Sequence, residues 1–278
     1  MSLELDRLSV TSMFHTKYLL CVVYCFVVSG VTANINSLNN DDGIYSECIN
    51  YGDFAITFDD GPSSNTEAVL DVLKAKGVHA TFFINGDNFE SIDDQATRNK
   101  MKRIVEEGHQ LGSHTWSHAD LTALSSEAIR SEMLDLESKV EELLGFKMSI
   151  MRPPYGRFND TVMDIIRGEL NYSVIIWNLD TNDWSNLANW NISFQAYVDA
   201  TEYDTNLNSS FIALHHDFAD GSAELAAHAI DYVLDKGFKL VTISECLGIP
   251  NDNSGVNCSA SHSVYLIMLL CICFIVKI

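Results

Sequence analysis

Between Asp53 and Leu247 the chain alternates short apolar runs with segments of helix length. The runs are strand candidates, at residues 54–58, 80–84, 110–113, 150–152, 173–177, 211–214 and 240–242. Most are continuously apolar, as strands covered on both faces of a parallel sheet must be. Residues 65–76 repeat apolar side chains at helical spacing and stop at Gly77. Ser125-Ser126-Glu127 opens a helix with a capping residue, and that helix runs to Gly145. Residues 223–236 follow the same pattern and stop at Gly237. Strand–helix alternation in this style predicts parallel βαβ units in one α/β domain, an incomplete barrel related to the TIM fold.

The ends of the 278-residue chain differ from this middle. Lys17 precedes an apolar run over residues 18–28, and Val31 and Ala33 suit cleavage before Asn34. Residues 1–33 are therefore expected to be a signal peptide, with Met13 a neater initiator than Met1 because it removes Glu4 and Asp6 from the basic region. Residues 34–250 form the expected domain. Residues 251–278 read as a C-terminal anchor signal, either glycosylphosphatidylinositol attachment at Asn253, Ser254 or Gly255 or a short membrane segment. A surface or wall location through the secretory pathway follows. Cys48 and Cys246 flank the first and last predicted strands, so a disulfide between them would tie the domain's ends together in an oxidising compartment. Sequons at Asn159, Asn171, Asn191, Asn208 and Asn257 agree with secretion. The net charge of −21 excludes nucleic acid as a partner, and a monomer is expected.

Coordinating and charged side chains gather at the ends of the predicted strands. Asp59 and Asp60 close the first, and they point in different directions, so one can bind a metal while the other meets its water. His114 and His118 stand four apart on one turn. With Asp60 they make a two-histidine, one-carboxylate set suited to Zn, Co, Mn or Fe. Arg152-Pro153-Pro154-Tyr155-Gly156 is a stiff turn able to present a backbone N–H to an oxyanion, with Arg152 placed to pair with Asp59. Asp180 lies after the 173–177 run, and Trp184 offers a flat face to a sugar. Alternation turns Leu214 and His216 into the barrel and His215 toward the helices, which makes His216 the candidate general acid. His79, His109 and His228 read as packing or surface residues. All the candidates fall at strand C-termini, the face that carries barrel active sites. The connections after the strands look short, which implies an open groove suited to a long polymer.

These segments, in this order, resemble the polysaccharide deacetylases of carbohydrate esterase family 4, the NodB homology domain, over roughly residues 48–247. Gly112-Ser113-His114-Thr115-Trp116-Ser117-His118 and Trp177-Asn178-Leu179-Asp180-Thr181-Asn182-Asp183-Trp184 look most like fungal and microsporidian chitin deacetylases. The resemblance implies a distorted (β/α)7 barrel and one divalent metal, zinc first with cobalt or manganese as alternatives, on Asp60, His114 and His118. It implies Asp59 as base, Arg152 orienting that base, Tyr155 supplying an oxyanion N–H, Asp180 orienting the acid, His216 as acid, and Trp184 and Leu214 around the acetyl methyl. The implied reaction is hydrolysis of N-acetyl groups from N-acetylglucosamine units of chitin. Two alternatives remain at this stage: a weakly active or inactive wall-glycan-binding protein of the same fold, and a deacetylase of another acetylated substrate such as peptidoglycan.

Overall fold

The computed structural model describes residues 43–253. The expected signal peptide, the choice between Met1 and Met13, and all but the first three residues of the expected anchor signal lie outside the described residues. The elements run β1 (Ile44–Tyr45), β2 (Asp53–Asp59), α1 (Thr66–Lys76), β3 (Thr81–Ile84), α2 (Gln95–Glu106), β4 (Gln110–Ser113), α3 (Ser126–Leu144), β5 (Ile150–Met151), α4 (Asp160–Met163), β6 (Ser173–Ile175), β7 (Leu179–Asp180), α5 (Trp190–Thr201), β8 (Phe211–His216), α6 (Ser222–Asp235), β9 (Lys239–Leu240) and α7 (Ile243–Leu247).

Every ladder is parallel, in the order β1-β6-β5-β4-β3-β2-β8-β7, with β9 beside the start of β2. Among the described residues no ladder joins β1 to β7, so the barrel is distorted and open at that seam. This is the expected α/β barrel with two extra edge strands. β1 and β7 have two residues each, too few to leave a pattern in the sequence. β8 continues past Leu214 through His216. Thr242 does not prolong β9. It caps α7, where its backbone N–H donates to Glu245 Oε2 at 2.9 Å in a capping box.

Alternation along β2 sorts the core into two layers. Phe54, Ile56 and Phe58 pack with the helices, while Ala55 joins Phe83, Ile150, Ile175, Ile212 and Val241 in a second cluster. Thr57 and Asp59 share the phase of Ala55, so a carboxylate reaches the interior at the strand end. α1 and α3 each stop at a left-handed glycine, Gly77 at φ 66° and Gly145 at φ 81°. Ser125 Oγ accepts from the Ala128 N–H at the start of α3.

Cys48 and Cys246 form a disulfide, with Cα atoms 4.6 Å apart. The last described residues fold under the barrel. Asp252 accepts from the Ser149 N–H at 2.8 Å, just before β5, and Asn253 Nδ2 donates to His109 O, just before β4. Residue 43 likewise precedes β1. The chain therefore enters and leaves at the pole where strands begin, and the opposite pole gathers all the strand C-termini.

Candidate active site

Parallel register fixes the first relationship in the site. β2 and β8 pair Thr57 with Leu214 and Asp59 with His216. Asp59 and His216 thus stand side by side at the strand ends. Two consecutive residues of a strand point to opposite faces, yet Asp59 and Asp60 both line one pocket. Asp60 manages this by leaving the strand conformation, at φ 72°. Thr115 (φ 72°), His118 (φ 58°), Tyr155 (φ 60°) and Asn182 (φ 51°) sit in the same left-handed region. Each is a non-glycine residue in a turn that builds this site, and such conformations cost about 1 kcal/mol or more apiece. The two histidines accordingly meet through a loop with two left-handed residues and not through a helical turn.

Asp60 Oδ1 lies 3.3 Å from His114 Nε2 and 3.1 Å from His118 Nε2. One ligand atom from each of the three residues falls within 4.8 Å of the other two. His114 Nδ1 is 2.7 Å from the carbonyl oxygen of Arg152. A carbonyl can only accept, so Nδ1 carries the proton and a neutral His114 has a lone pair on Nε2. Asp60 Oδ1 is buried and has no hydrogen-bond partner. Three acceptor atoms converging this closely need a positive centre: protons on the imidazoles, or a divalent cation in their place. Burial alone would raise the Asp60 carboxyl, but His114 and His118 reverse that and hold it well below its ordinary range. The donor set fits a divalent cation with coordination positions to spare.

Arg152 is fully buried beside this cluster. Its Nη1 donates to Asp59 Oδ1 and to Thr57 Oγ1, both at 2.7 Å, and its Nε donates to Ile175 O at 3.2 Å. Burial presses the guanidinium pKa downward, and the Asp59 charge opposes it. The pair leaves Asp59 Oδ2 on the side of His114, 3.9 Å from Nε2.

The sequence profile of the polysaccharide deacetylase family matches residues 50–174. A chitin deacetylase from a Pestalotiopsis species is 39% identical over 212 residues, which span 76% of this chain and 68% of that protein. The chain belongs to the polysaccharide deacetylase family. The solved chitin deacetylase of Colletotrichum lindemuthianum superposes on this deacetylase with a TM-score of 0.72 at 34% identity, covering 76% of this chain and 93% of that one. The peptidoglycan deacetylase PdaC of Bacillus subtilis gives 0.61 at 31%, covering 71% and 90%.

In this deacetylase the pocket measures about 450 Å³ and is lined by Asp59, Asp60, His114, His118, Tyr155, Trp177, Asp180, Trp184, Leu214, His216 and Phe218, with Pro153 and Gly156. Every site residue named from the sequence except Arg152 reaches this lining, and Arg152 lies directly behind Asp59. The partner of His216 is a different matter. His216 Nδ1 donates to Asp183 Oδ1 at 2.7 Å, and the His216 backbone N–H donates to Asp183 Oδ2 at 2.8 Å. Asp180 instead accepts from the Asn182 N–H at 2.8 Å, within its own turn. The expectation that Asp180 orients His216 is therefore corrected: Asp183 holds the imidazole. The physical reason is β7, which ends at Asp180, followed by a turn through left-handed Asn182 that swings Asp183 toward β8. Burial lowers the His216 pKa, but Asp183, then Asp59 and Asp60, raise it further, to about 9. Asp183 itself is held low, its burial offset by His216.

His215, one residue back, faces the helices. Its Nε2 meets the hydroxyl of Tyr197 on α5 at 2.5 Å, and burial pushes its pKa down to about 4. It is neutral at ordinary pH and has no access to the pocket.

Proposed function

We propose that this deacetylase hydrolyses the N-acetyl groups of N-acetylglucosamine units in chitin, giving acetate and chitosan. The observation that carries the reading is one pocket holding three separate devices. These are a ligand cluster (Asp60, His114, His118), a carboxylate fixed by a buried arginine (Asp59–Arg152), and an imidazole raised toward its protonated form by a carboxylate (His216–Asp183). When bound, a divalent cation supplies Lewis-acid polarisation of the acetyl carbonyl and acidifies water. Zinc suits two imidazoles and one carboxylate, with cobalt or manganese as substitutes.

The chain's own residues do the proton work. Asp59 accepts the proton of the attacking water as its oxygen bonds to the carbonyl carbon. The Arg152 hydrogen bond keeps the other carboxylate oxygen occupied and aims the free one. Tyr155 offers its backbone N–H to the developing oxyanion. His216, with Nδ1 committed to Asp183, reserves Nε2 to hand a proton to the amine nitrogen as the C–N bond breaks. Trp184 and Leu214 flank the acetyl methyl, and Asp180 lines the wall beside Trp184.

The disulfide and sequons support a secretory route; the 1–33 leader would direct the chain onto it, and the 251–278 anchor signal would hold the enzyme at the cell surface. The likeness to PdaC keeps peptidoglycan as a second substrate. The test is acetate release by the purified full-length protein from chitin oligomers and from peptidoglycan, after chelation and with each metal restored. Metal-dependent acetate from chitin supports the proposal. Release from peptidoglycan alone transfers it to the second substrate. No release from either, by folded protein that binds metal, leaves a glycan-binding role.

A further inference from the structure

His114 and His118 are held in different ways. His114 has its Nδ1 on the Arg152 carbonyl at 2.7 Å, so a hydrogen bond from behind aims its ring. Among the described residues no hydrogen bond reaches His118 Nδ1. The ring of His118 meets Asp60 Oδ1 at 3.1 Å and the rings of His114 and Tyr155, with centroids 5.0 and 4.7 Å away, all of them in the pocket lining. The place of this imidazole is therefore set by its backbone. That backbone stands at φ 58°, a conformation that a non-glycine residue keeps only where its surroundings hold it.

The hold comes through the residues between the two histidines. Their carbonyls go to one neighbour and their N–H groups to another. On the first side Asn85 Nδ2 donates to His114 O and Thr115 O, and the N–H groups of Gly86 and Asp87 donate to Trp116 O at 2.9 and 2.8 Å. On the second side stands one residue of α3, the half-buried Glu132. The Trp116 N–H donates to the backbone carbonyl of Glu132 at 2.9 Å. The Ser117 N–H donates to Glu132 Oε2 at 2.8 Å, and the Ser117 hydroxyl donates to Glu132 Oε1 at 2.6 Å. Both carboxylate oxygens are thus spent on the residue immediately before His118. Glu132 lies outside the pocket lining and outside the ligand cluster. A residue within a long helix is a firm anchor, because its own backbone is fixed by the helix ladder.

We propose that Glu132 is the positioning residue for His118 and thereby sets the affinity of the Asp60–His114–His118 cluster for its divalent cation. This rests on the metal-ligand reading above. Without the carboxylate, Ser117 loses both of its anchors and His118 is free to leave its left-handed conformation. The cation then has to restore that geometry as it binds, and its affinity falls.

The experiment measures zinc binding by calorimetry on chelated full-length wild type, Glu132→Ala, Glu132→Gln and Ser117→Ala, each checked for folding by circular dichroism. Glu132→Ala should bind zinc about tenfold or more weakly. Glu132→Gln should recover most of the affinity, because its amide oxygen accepts from the Ser117 N–H and its amide N–H donates to the Ser117 hydroxyl. Ser117→Ala, which keeps the N–H bond and loses the other, should weaken binding by about threefold. Unchanged affinity in folded Glu132→Ala overturns the proposal and leaves Glu132 a support of α3 alone. An equal loss in Glu132→Ala and Glu132→Gln also overturns it, since the charge and not the hydrogen bonds would then be responsible. Should Glu132→Ala fail to fold, Ser117→Ala decides: weaker binding upholds the proposal and unchanged binding refutes it. Wild type that binds no divalent cation removes the ligand reading and this proposal with it. Wild type that binds zinc but releases no acetate from any substrate removes the deacetylase reading alone, and the affinities still decide the role of Glu132.

Discussion

Replacing Asp183 by Asn removes one charge from behind His216, the proposed general acid, and keeps the shape of the site. In the native protein burial disfavours imidazolium, and Asp183 with Asp59 and Asp60 outweighs it, lifting His216 from 6.5 to about 9. That shift corresponds to about 3 kcal/mol favouring the proton on His216. Because the folded value exceeds the unfolded one, the associated stability is fully present below about pH 6.5 and is lost as pH rises through about 9. Without the carboxylate the burial effect gains weight, and the imidazole should titrate near or below its ordinary 6.5. At pH 8 the His216 imidazole would be protonated in about nine-tenths of native molecules and in about one in thirty of the variant. The direct assay is the imidazole titration of His216 by NMR in chelated protein. The functional assay is the basic limb of the pH–kcat/KM profile in metal-loaded enzyme. The Asn variant should move the titration in chelated protein downward by about two pH units or more and the kinetic limb in the same direction, and Asp180→Asn, which removes no hydrogen bond to His216, should leave both nearer the native position. An Asp183→Asn titration that stays near 9, or an Asp180→Asn variant that shifts as far, refutes the reasoning.

Three further outcomes are expected. His118→Ala loses metal affinity and turnover together, whereas His216→Ala keeps metal affinity and loses turnover, as measured by calorimetry on the chelated proteins and by acetate release. Arg152→Ala leaves the Asp59 carboxylate buried without its partner and should cost about 3–5 kcal/mol of stability, read by urea unfolding. Arg152→Lys should restore little of it, because a single ammonium cannot reach Asp59, Thr57 and Ile175 O in one geometry. Reducing the Cys48–Cys246 bond, which closes a sequence separation of 198, should lower stability by about 4–5 kcal/mol, seen as a drop in Tm with reductant.

The fold and most of the site were legible in the sequence because both depend on patterns with strong local signals. The buried runs announced β2, β3, β4 and β8, and the strand-end positions of Asp59, His114 and His216 followed from them. What escaped depends on geometry without a period. β1 and β7 are two residues long and show no alternation. The choice between Asp180 and Asp183 turned on β7 ending at one and Asn182 adopting φ 51°, which residue types alone do not specify. The left-handed turns at Asp60 and His118 were equally invisible, although they let neighbouring or near-neighbouring side chains share one pocket.

The hydrogen bonds of Asp252 and Asn253 beneath the barrel make the molecule one-sided. Both points where the described chain begins and ends lie at one pole, and the pocket mouth opens at the other. An enzyme coupled to a bead or fused to a carrier through either point would keep its mouth turned to the solution, free to work along a polymer too large to diffuse. The same coupling made through the turn after β2 would seal the mouth against the support.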